Sequence, residues 1–342
     1  MKTSRFLLAI AFAIMAFTID VTLVGCAVFS AVDSAVKSID RSLDSTLGGG
    51  KKYEPKVEVS DDFIKKEADH TWEVTDQTSW NAAALGINNA GNGKKHIVNV
   101  KNSFSTTNTF YTTTFYLTAT DIAVVIEGNA TISFSPSGRT IHLLDVGNRQ
   151  AIIVRDIKLQ GNGDNIGPLV NIQSGGKFIM EGSASVSGNT ARGKSKIFGR
   201  ACSITSSPGG VYVGGIFTMR DNASVFGNIS SGSCQGSEFG RGGGVEVGVS
   251  GIFTMQDNAS VTGNTAIEYG GGVYVNGRFV MQDKAKVSGN TANRDSDVYG
   301  IISQGESSAK TSKTITDGAS NQENEELEPK KSEETPTEAT EE

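Results

Sequence analysis

Three aspartates recur behind near-identical segments: Phe217-Thr218-Met219-Arg220-Asp221, Phe253-Thr254-Met255-Gln256-Asp257 and Phe279-Val280-Met281-Gln282-Asp283. Carboxylates brought together in this way could share a hard cation such as calcium, which takes oxygen ligands. The same residues also suit an Asp-Asn turn open to water, as in Asp221-Asn222 and Asp257-Asn258, and the cations Arg220 and Lys284 beside them favour the turn. A second recurring group is Asn162, Asn189, Asn228, Asn264 and Asn290, each directly after a glycine. An amide both donates and accepts, so asparagines repeated at one corner can bond to one another from layer to layer. The three histidines, His70, His96 and His142, have no spacing that suggests a metal site or a triad. Arg155, Asp156 and Lys158 come nearest to a catalytic cluster and read as surface charges beside a turn. No cofactor is expected from these patterns.

The spacing of the aspartates and asparagines follows from a repeat that must position them. Residues 211–228 give Val-Tyr-Val, Phe-Thr-Met and Ala-Ser-Val at six-residue steps, then Gly227-Asn228. Residues 273–290 repeat this as Val-Tyr-Val, Phe-Val-Met and Ala-Lys-Val. Residues 245–264 do so with two extra residues in the first turn, and 170–189 form an earlier copy. Each triplet is apolar, variable, apolar, which is strand alternation with the outer pair on one face. The turns between triplets lack hairpin signals, so each strand is expected to pair with its equivalent in the next copy. The result is a coil of three faces, each a parallel sheet, with Phe178, Phe217, Phe253 and Phe279 stacked inside, and Met180, Met219, Met255 and Met281 likewise. Weaker copies around Val124–Ile126 and Leu144–Leu159 lengthen the stack to about six coils. The fold expected is an all-β, right-handed parallel β-helix over residues 101–300, similar to the pectate-lyase-like solenoid, with residues 69–100 as an N-terminal cap.

The flanks have other compositions. Lys2 and Arg5 precede the apolar run Phe6–Ile19, the pattern of a signal peptide over residues 1–25. Leu23-Val24-Gly25-Cys26 resembles the lipobox of bacterial lipoproteins, which implies lipidation of Cys26. Apolar residues from Val32 to Leu47 recur at helical steps, and residues 26–68 read as a short anchor helix and tether. Residues 301–342 hold ten Glu and one Asp against four Lys, and read as a disordered acidic tail. With a formal charge of −6 for the chain, the body before the tail is near neutral. It has no basic stripe for phosphate backbones, so nucleic acid is set aside as a partner.

Export leaves Cys202 and Cys234 as candidates for a disulfide. Each sits in the long loop that leads into the first strand of its coil, and those coils are neighbours, within reach of a bridge. Two free thiols on flexible inserts are the alternative.

The elements Gly243-Gly244-Val245 and Gly271-Gly272-Val273, with Val-Ser-Gly-Asn-Thr-Ala after the last strand, resemble repeats of the polymorphic outer membrane protein type. The Phe-x-x-Asn element of those repeats is replaced here by valine before Gly-Asn. The resemblance spans roughly residues 120–300. It implies a surface-exposed adhesin in the outer membrane, with a host protein or glycan as ligand. Such proteins often carry a C-terminal barrel, whereas this chain has an acidic tail and would depend on lipid for its hold on the membrane. Two functions are therefore expected from the sequence: a rigid adhesion, binding or structural module, or a polysaccharide lyase or hydrolase on the same fold, the first being favoured because no catalytic cluster is evident. Cys26→Ala is expected to abolish metabolic fatty-acid labelling and release the protein from membranes. Labelling that persists in that variant would remove the anchor.

Overall fold

The computed structural model describes residues 59–107, 115–135, 142–198, 201–205, 207–234 and 237–304. The segments expected to be a signal peptide and anchor helix, with Cys26, lie outside the described residues, as does the expected tail from residue 305 on; at its start, Ile302–Gln304 is a strand of the β-helix.

The chain winds into a parallel β-helix. Its first face is a sheet of nine strands, from His70–Val74 to Ile302–Gln304. The second face holds seven strands, from Phe104–Thr107 to Lys286–Ser288, and the third seven, from Phe115–Tyr116 to Val298–Tyr299. All pairings within these three faces are parallel and join equivalent strands of successive coils. Phe178 pairs with Phe217, Phe217 with Phe253, and Phe253 with Phe279. Between Lys95–Val100 and Val298–Tyr299 the chain visits the faces in the order first, second, third seven times. The circuit that begins at Lys95 is legible in sequence only as the fragment Ile97–Val100.

The first sheet also starts earlier than the expected cap allows. His70–Val74 and Lys95–Val100 are already its strands, in register from His70 against His96 to Val74 against Val100. The covering element between them is one helix, α2 (Gln77–Ala90), after a short helix α1 (Asp61–Lys65). Asp76 caps α2 by accepting from the Ser79 amide at 2.8 Å, and the Ser79 hydroxyl reaches back to the Asp76 amide. Trp80, Ala83 and Ile87 are buried beneath α2 and close the open end of the stack. Gly86 lies against the Trp72 indole so tightly that no side chain would fit there.

The interior is a set of like-over-like columns. Successive phenylalanine rings stand 5.4, 4.8 and 4.8 Å apart, the last two pairs within 8° of parallel. Met180, Met219 and Met255 are fully buried beside them, as are Ala184, Val186, Ala223, Val225, Ala259 and Val261 of the second face, whereas Met281, Ala285 and Val287 of the last coil are half-buried. The glycine pairs Gly209-Gly210, Gly243-Gly244 and Gly271-Gly272 are required by crowding rather than by backbone conformation. A Cβ on Gly244 would come 2.8 Å from the Gly272 carbonyl oxygen and 2.9 Å from the Asn264 amide nitrogen. At the other corner it is the glycine before each asparagine, Gly188, Gly227, Gly263 and Gly289, that takes the left-handed backbone, not the asparagine itself.

Residues read as tether do more than connect. On the outside of the first face, Ile97, Val125, Ile153 and Ile179 form an apolar row. Val59, Phe63 and Ile64 pack onto it, and Asp61 pairs with Lys177. In the next two coils the same row becomes Thr218 and Thr254, before it turns apolar again at Val280.

Phe253→Ala should open a void between two stacked rings and lower stability by roughly 3–5 kcal/mol, and the coils on both sides should loosen with it. Thr254→Ala, on the outward side of the same strand, should leave thermal unfolding almost unchanged. Equal shifts in the two variants would reverse the assignment of inside and outside.

Candidate functional site

The recurring polar residues of the sequence fall into two ladders that serve the coil stack. In the buried one, the Asn228 backbone N–H and side-chain amide both donate to Asn264 Oδ1, at 3.0 and 3.1 Å. Asn264 donates in the same way to Asn290, at 2.9 and 3.0 Å, and the Asn189 backbone N–H to Asn228 at 3.1 Å. Asn162 does not join. Its side chain accepts from the Asp164 amide in a local turn, and Asn165 takes the ladder position by donating to Asn189 at 3.1 Å. The other end closes on Asp297, which accepts both donors of Asn290 at 3.0 and 2.8 Å. Neither Asn165 nor Asp297 stands in the Gly-Asn motif, so the repeat pattern could not point to them.

The aspartate row is likewise an internal device. Asp221, Asp257 and Asp283 occupy the left-handed region at φ of 57°, 55° and 55°. Each carboxylate accepts the backbone N–H one coil earlier: Asp221 from Gly182 at 2.9 Å, Asp257 from Asp221 at 3.0 Å, and Asp283 from Asp257 at 3.0 Å. Their oxygens are thus directed at amides, and no group of three His, Cys, Asp or Glu side chains is arranged for a metal among the described residues.

A shallow groove runs along the corner where the first face ends, lined by Arg155, Asp156, Glu181, Arg220, Asp221 and Asp257. Its charges alternate up the coils. Arg155 bonds to Glu127 at 2.6 Å and to Glu181 at 2.7 Å, and Arg220 bonds to the other oxygen of Glu181, with Nε at 2.9 Å. The Asp156 carboxylate accepts from the Ser183 amide at 2.7 Å. The cluster that most resembles catalytic machinery is therefore neutralised by its own members.

The histidines divide. His96 lies inside the stack at its first coil, where its Nδ1 accepts from the Trp72 indole at 3.3 Å. Burial, reinforced by the neighbouring His70 ring stacked 5.5 Å away, pushes its pKa down to about 4. His142 bonds through Nδ1 with the Pro168 carbonyl at 2.8 Å. None of these rings faces the groove residues.

The third face differs in kind. Its outward row reads Asp145, Asn171, Tyr212, Glu246, Tyr274 and Tyr299, one residue per coil. Tyr274 and Tyr299 stack 5.0 Å apart and 4° from parallel. From the preceding corner, Arg241 sits 5.3 Å from the Tyr274 ring centre and 5.9 Å from that of Tyr269, and its Nε lies 3.5 Å from Glu268. Arg294 covers the other part of Tyr269 at 5.6 Å and donates to its hydroxyl at 3.2 Å. Glu246 lies between Tyr212 and Tyr274, and its Oε2 is buried with no hydrogen-bond partner among the described residues. Desolvation pushes its pKa up to about 7 against the opposing pull of Arg241.

The chain's irregular insertions gather at that same corner. The hairpin of Lys194–Phe198 with Ala201–Thr205 precedes the third-face strand Val211–Val213, and that of Gly232–Cys234 with Ser237–Phe239 precedes Val245–Val247. Cys202 and Cys234 thus lie on hairpin strands rather than in irregular loops, and the strand that runs beside Gly232–Cys234 is Lys194–Phe198. Their side chains lie outside the described residues. Sequence periodicity passed over this patch because the middle residue of each triplet varies while its neighbours repeat. The signal was present in that variation: Tyr, Glu, Tyr and Tyr in successive coils.

No characterised family, curated protein or solved structure matches the chain significantly.

Glu246 sets a stability test. Its folded pKa, about 7, stands above the ordinary 4.5. Between those values the folded form holds a proton that the unfolded chain has released, so stability falls as pH rises through the window. Comparison with Glu246→Gln isolates the effect from that of His96, whose depressed pKa acts in the opposite sense. From pH 4.5 to 8 the wild type should lose up to about 3 kcal/mol relative to the variant in denaturant unfolding. A pH-independent difference would show that the carboxyl is not desolvated.

Proposed function

We propose that the chain is an exported, lipid-anchored β-helical module of the bacterial cell envelope, held at the outer membrane through Cys26, whose third face binds a ligand. The observation that carries this reading is the placement of the insertions. In a solenoid every coil is interchangeable as scaffold, so lengthened turns gathered at one corner mark the face that has been adapted for contact. Here that corner delivers Arg241, Glu268, Tyr269 and Arg294 to the edge of a face carrying Tyr212, Glu246, Tyr274 and Tyr299. Arginine and tyrosine are the residues that most often supply binding energy at contact surfaces. The resemblance of the Gly-Gly-Val elements to outer-membrane repeats agrees with surface display. The carbohydrate-active enzyme is the weaker reading, because Arg155, Glu181 and Arg220 are bonded to one another along the first-face groove.

External protease added to intact cells should degrade the β-helix, and the purified full chain should bind cell or matrix surfaces. Tyr212→Ala with Tyr299→Ala should reduce that binding, while Thr254→Ala on the first face should not. Complete protection from protease in intact cells would overturn surface display. Release of reducing or unsaturated sugar ends from polysaccharides by the purified protein, lost in Arg155→Ala, would favour the enzyme instead.

A further inference from the structure

The chemistry of the third face selects among the macromolecules that could lie on it. A polymer laid along the β-helix axis would meet one outward side chain per coil, roughly every 4.8 Å. The row it would meet is Asp145, Asn171, Tyr212, Glu246, Tyr274 and Tyr299, with no aliphatic member. An amphipathic helix needs an apolar groove for its anchors, and this row offers none. A peptide strand adds to a free sheet edge through its backbone, whereas the third-face strands from Leu144–Val146 to Val273–Val275 are paired on both sides. A polyanion needs uncompensated cations. Arg241 is set against Glu268 and Arg294 donates to the Tyr269 hydroxyl, while the row itself carries the carboxyl groups of Asp145 and Glu246 and no cation.

What the row does offer is aromatic surface interleaved with hydrogen-bonding groups and no cation. At its centre, Glu246 Oε2 is buried with no donor among the described residues, and a buried acceptor left unbonded is destabilising until a donor reaches it. The tyrosines beside it diverge. Tyr212 leans toward the turn after the next third-face strand, where a Cβ on Gly248 would come 2.8 Å from its hydroxyl. Tyr274 leans the other way, against Tyr269 at 6.5 Å and Arg241 at 5.3 Å between centres. The turn after Val247, two residues longer than those after Val213 and Val275, also carries Val249, 85 % exposed.

From this arrangement we infer that the third face binds a neutral polysaccharide chain along the β-helix axis, with a sugar hydroxyl donating to Glu246 and sugar rings packing on Tyr212 and Tyr299. The inference rests on the reading of the protein as a binding module and specifies its ligand class.

The test is affinity electrophoresis of the full-length protein in native gels containing mannan, xyloglucan or dextran, with alginate as the polyanionic counterpart. At least one neutral polysaccharide should retard the wild type, and alginate should not. Glu246→Ala and Tyr212→Ala should each weaken the retardation about tenfold. Glu246→Gln, which keeps an acceptor at the same place, should retain most of it, and Thr254→Ala all of it. Thermal unfolding of each variant separates loss of the ligand from loss of the fold. Retardation by alginate alone, or undiminished retardation of folded Glu246→Ala and Tyr212→Ala, overturns the inference. So does the absence of retardation by any of the neutral polymers. If protease exposure and surface binding persist in that last case, the ligand class is wrong and the binding module stands; if they fail as well, both fall.

Discussion

Coil spacing governs this molecule. Once strands of successive turns pair in parallel, every residue lies about 4.8 Å above its equivalent, and each position must tolerate a neighbour like itself. Phenylalanine does so by stacking ring on ring, and methionine and valine by packing in columns. Charge does not. On the first face the chain therefore alternates Glu127, Arg155, Glu181 and Arg220, so that Arg155 and Glu181 each find an opposite charge above and below. Where like charges do repeat, as with Asp221, Asp257 and Asp283, each carboxylate turns to a backbone amide of the coil before. Water at that corner screens the remaining repulsion.

The same constraint explains which parts of the structure were legible in sequence. Interior columns repeat because identical neighbours are what packing rewards there, so Phe-x-Met and Ala-x-Val declare the coil. The asparagine ladder is legible in its middle, at Asn189, Asn228, Asn264 and Asn290, for the same reason. Its two ends, Asn165 and Asp297, are single events with no neighbour on one side and so leave no periodic trace. Asn162 carries the motif and yet lies outside the ladder, because the chain after Gly161 turns locally onto Asp164.

The first coil and the covering segments were harder to read. His70–Val74 and Lys95–Val100 belong to the first sheet, but their inward residues are Trp72, His96 and Val98 rather than the Phe and Met of later coils. The docking of Val59, Phe63 and Ile64 is encoded on the other partner, in the outward isoleucines Ile97, Ile153 and Ile179 that give way to threonine farther along. The third-face patch sits at the opposite extreme. Its residues vary from coil to coil, and a search for repetition discards what varies.

The asparagine ladder has a direction. Each asparagine acceptor in it, from Asn189 to Asn290, takes its bond from the coil before it, and Asp297 takes the last from Asn290 of its own coil. A middle rung both accepts and donates, so an in-frame duplication of residues 229–264, one whole coil, would hand the chain of bonds onward unbroken. At Asp297 the side-chain part of this relay ends, since a carboxylate has no proton to pass to a further rung. The stack can thus be lengthened by copying its interior, with the ladder passing from each copy to the next.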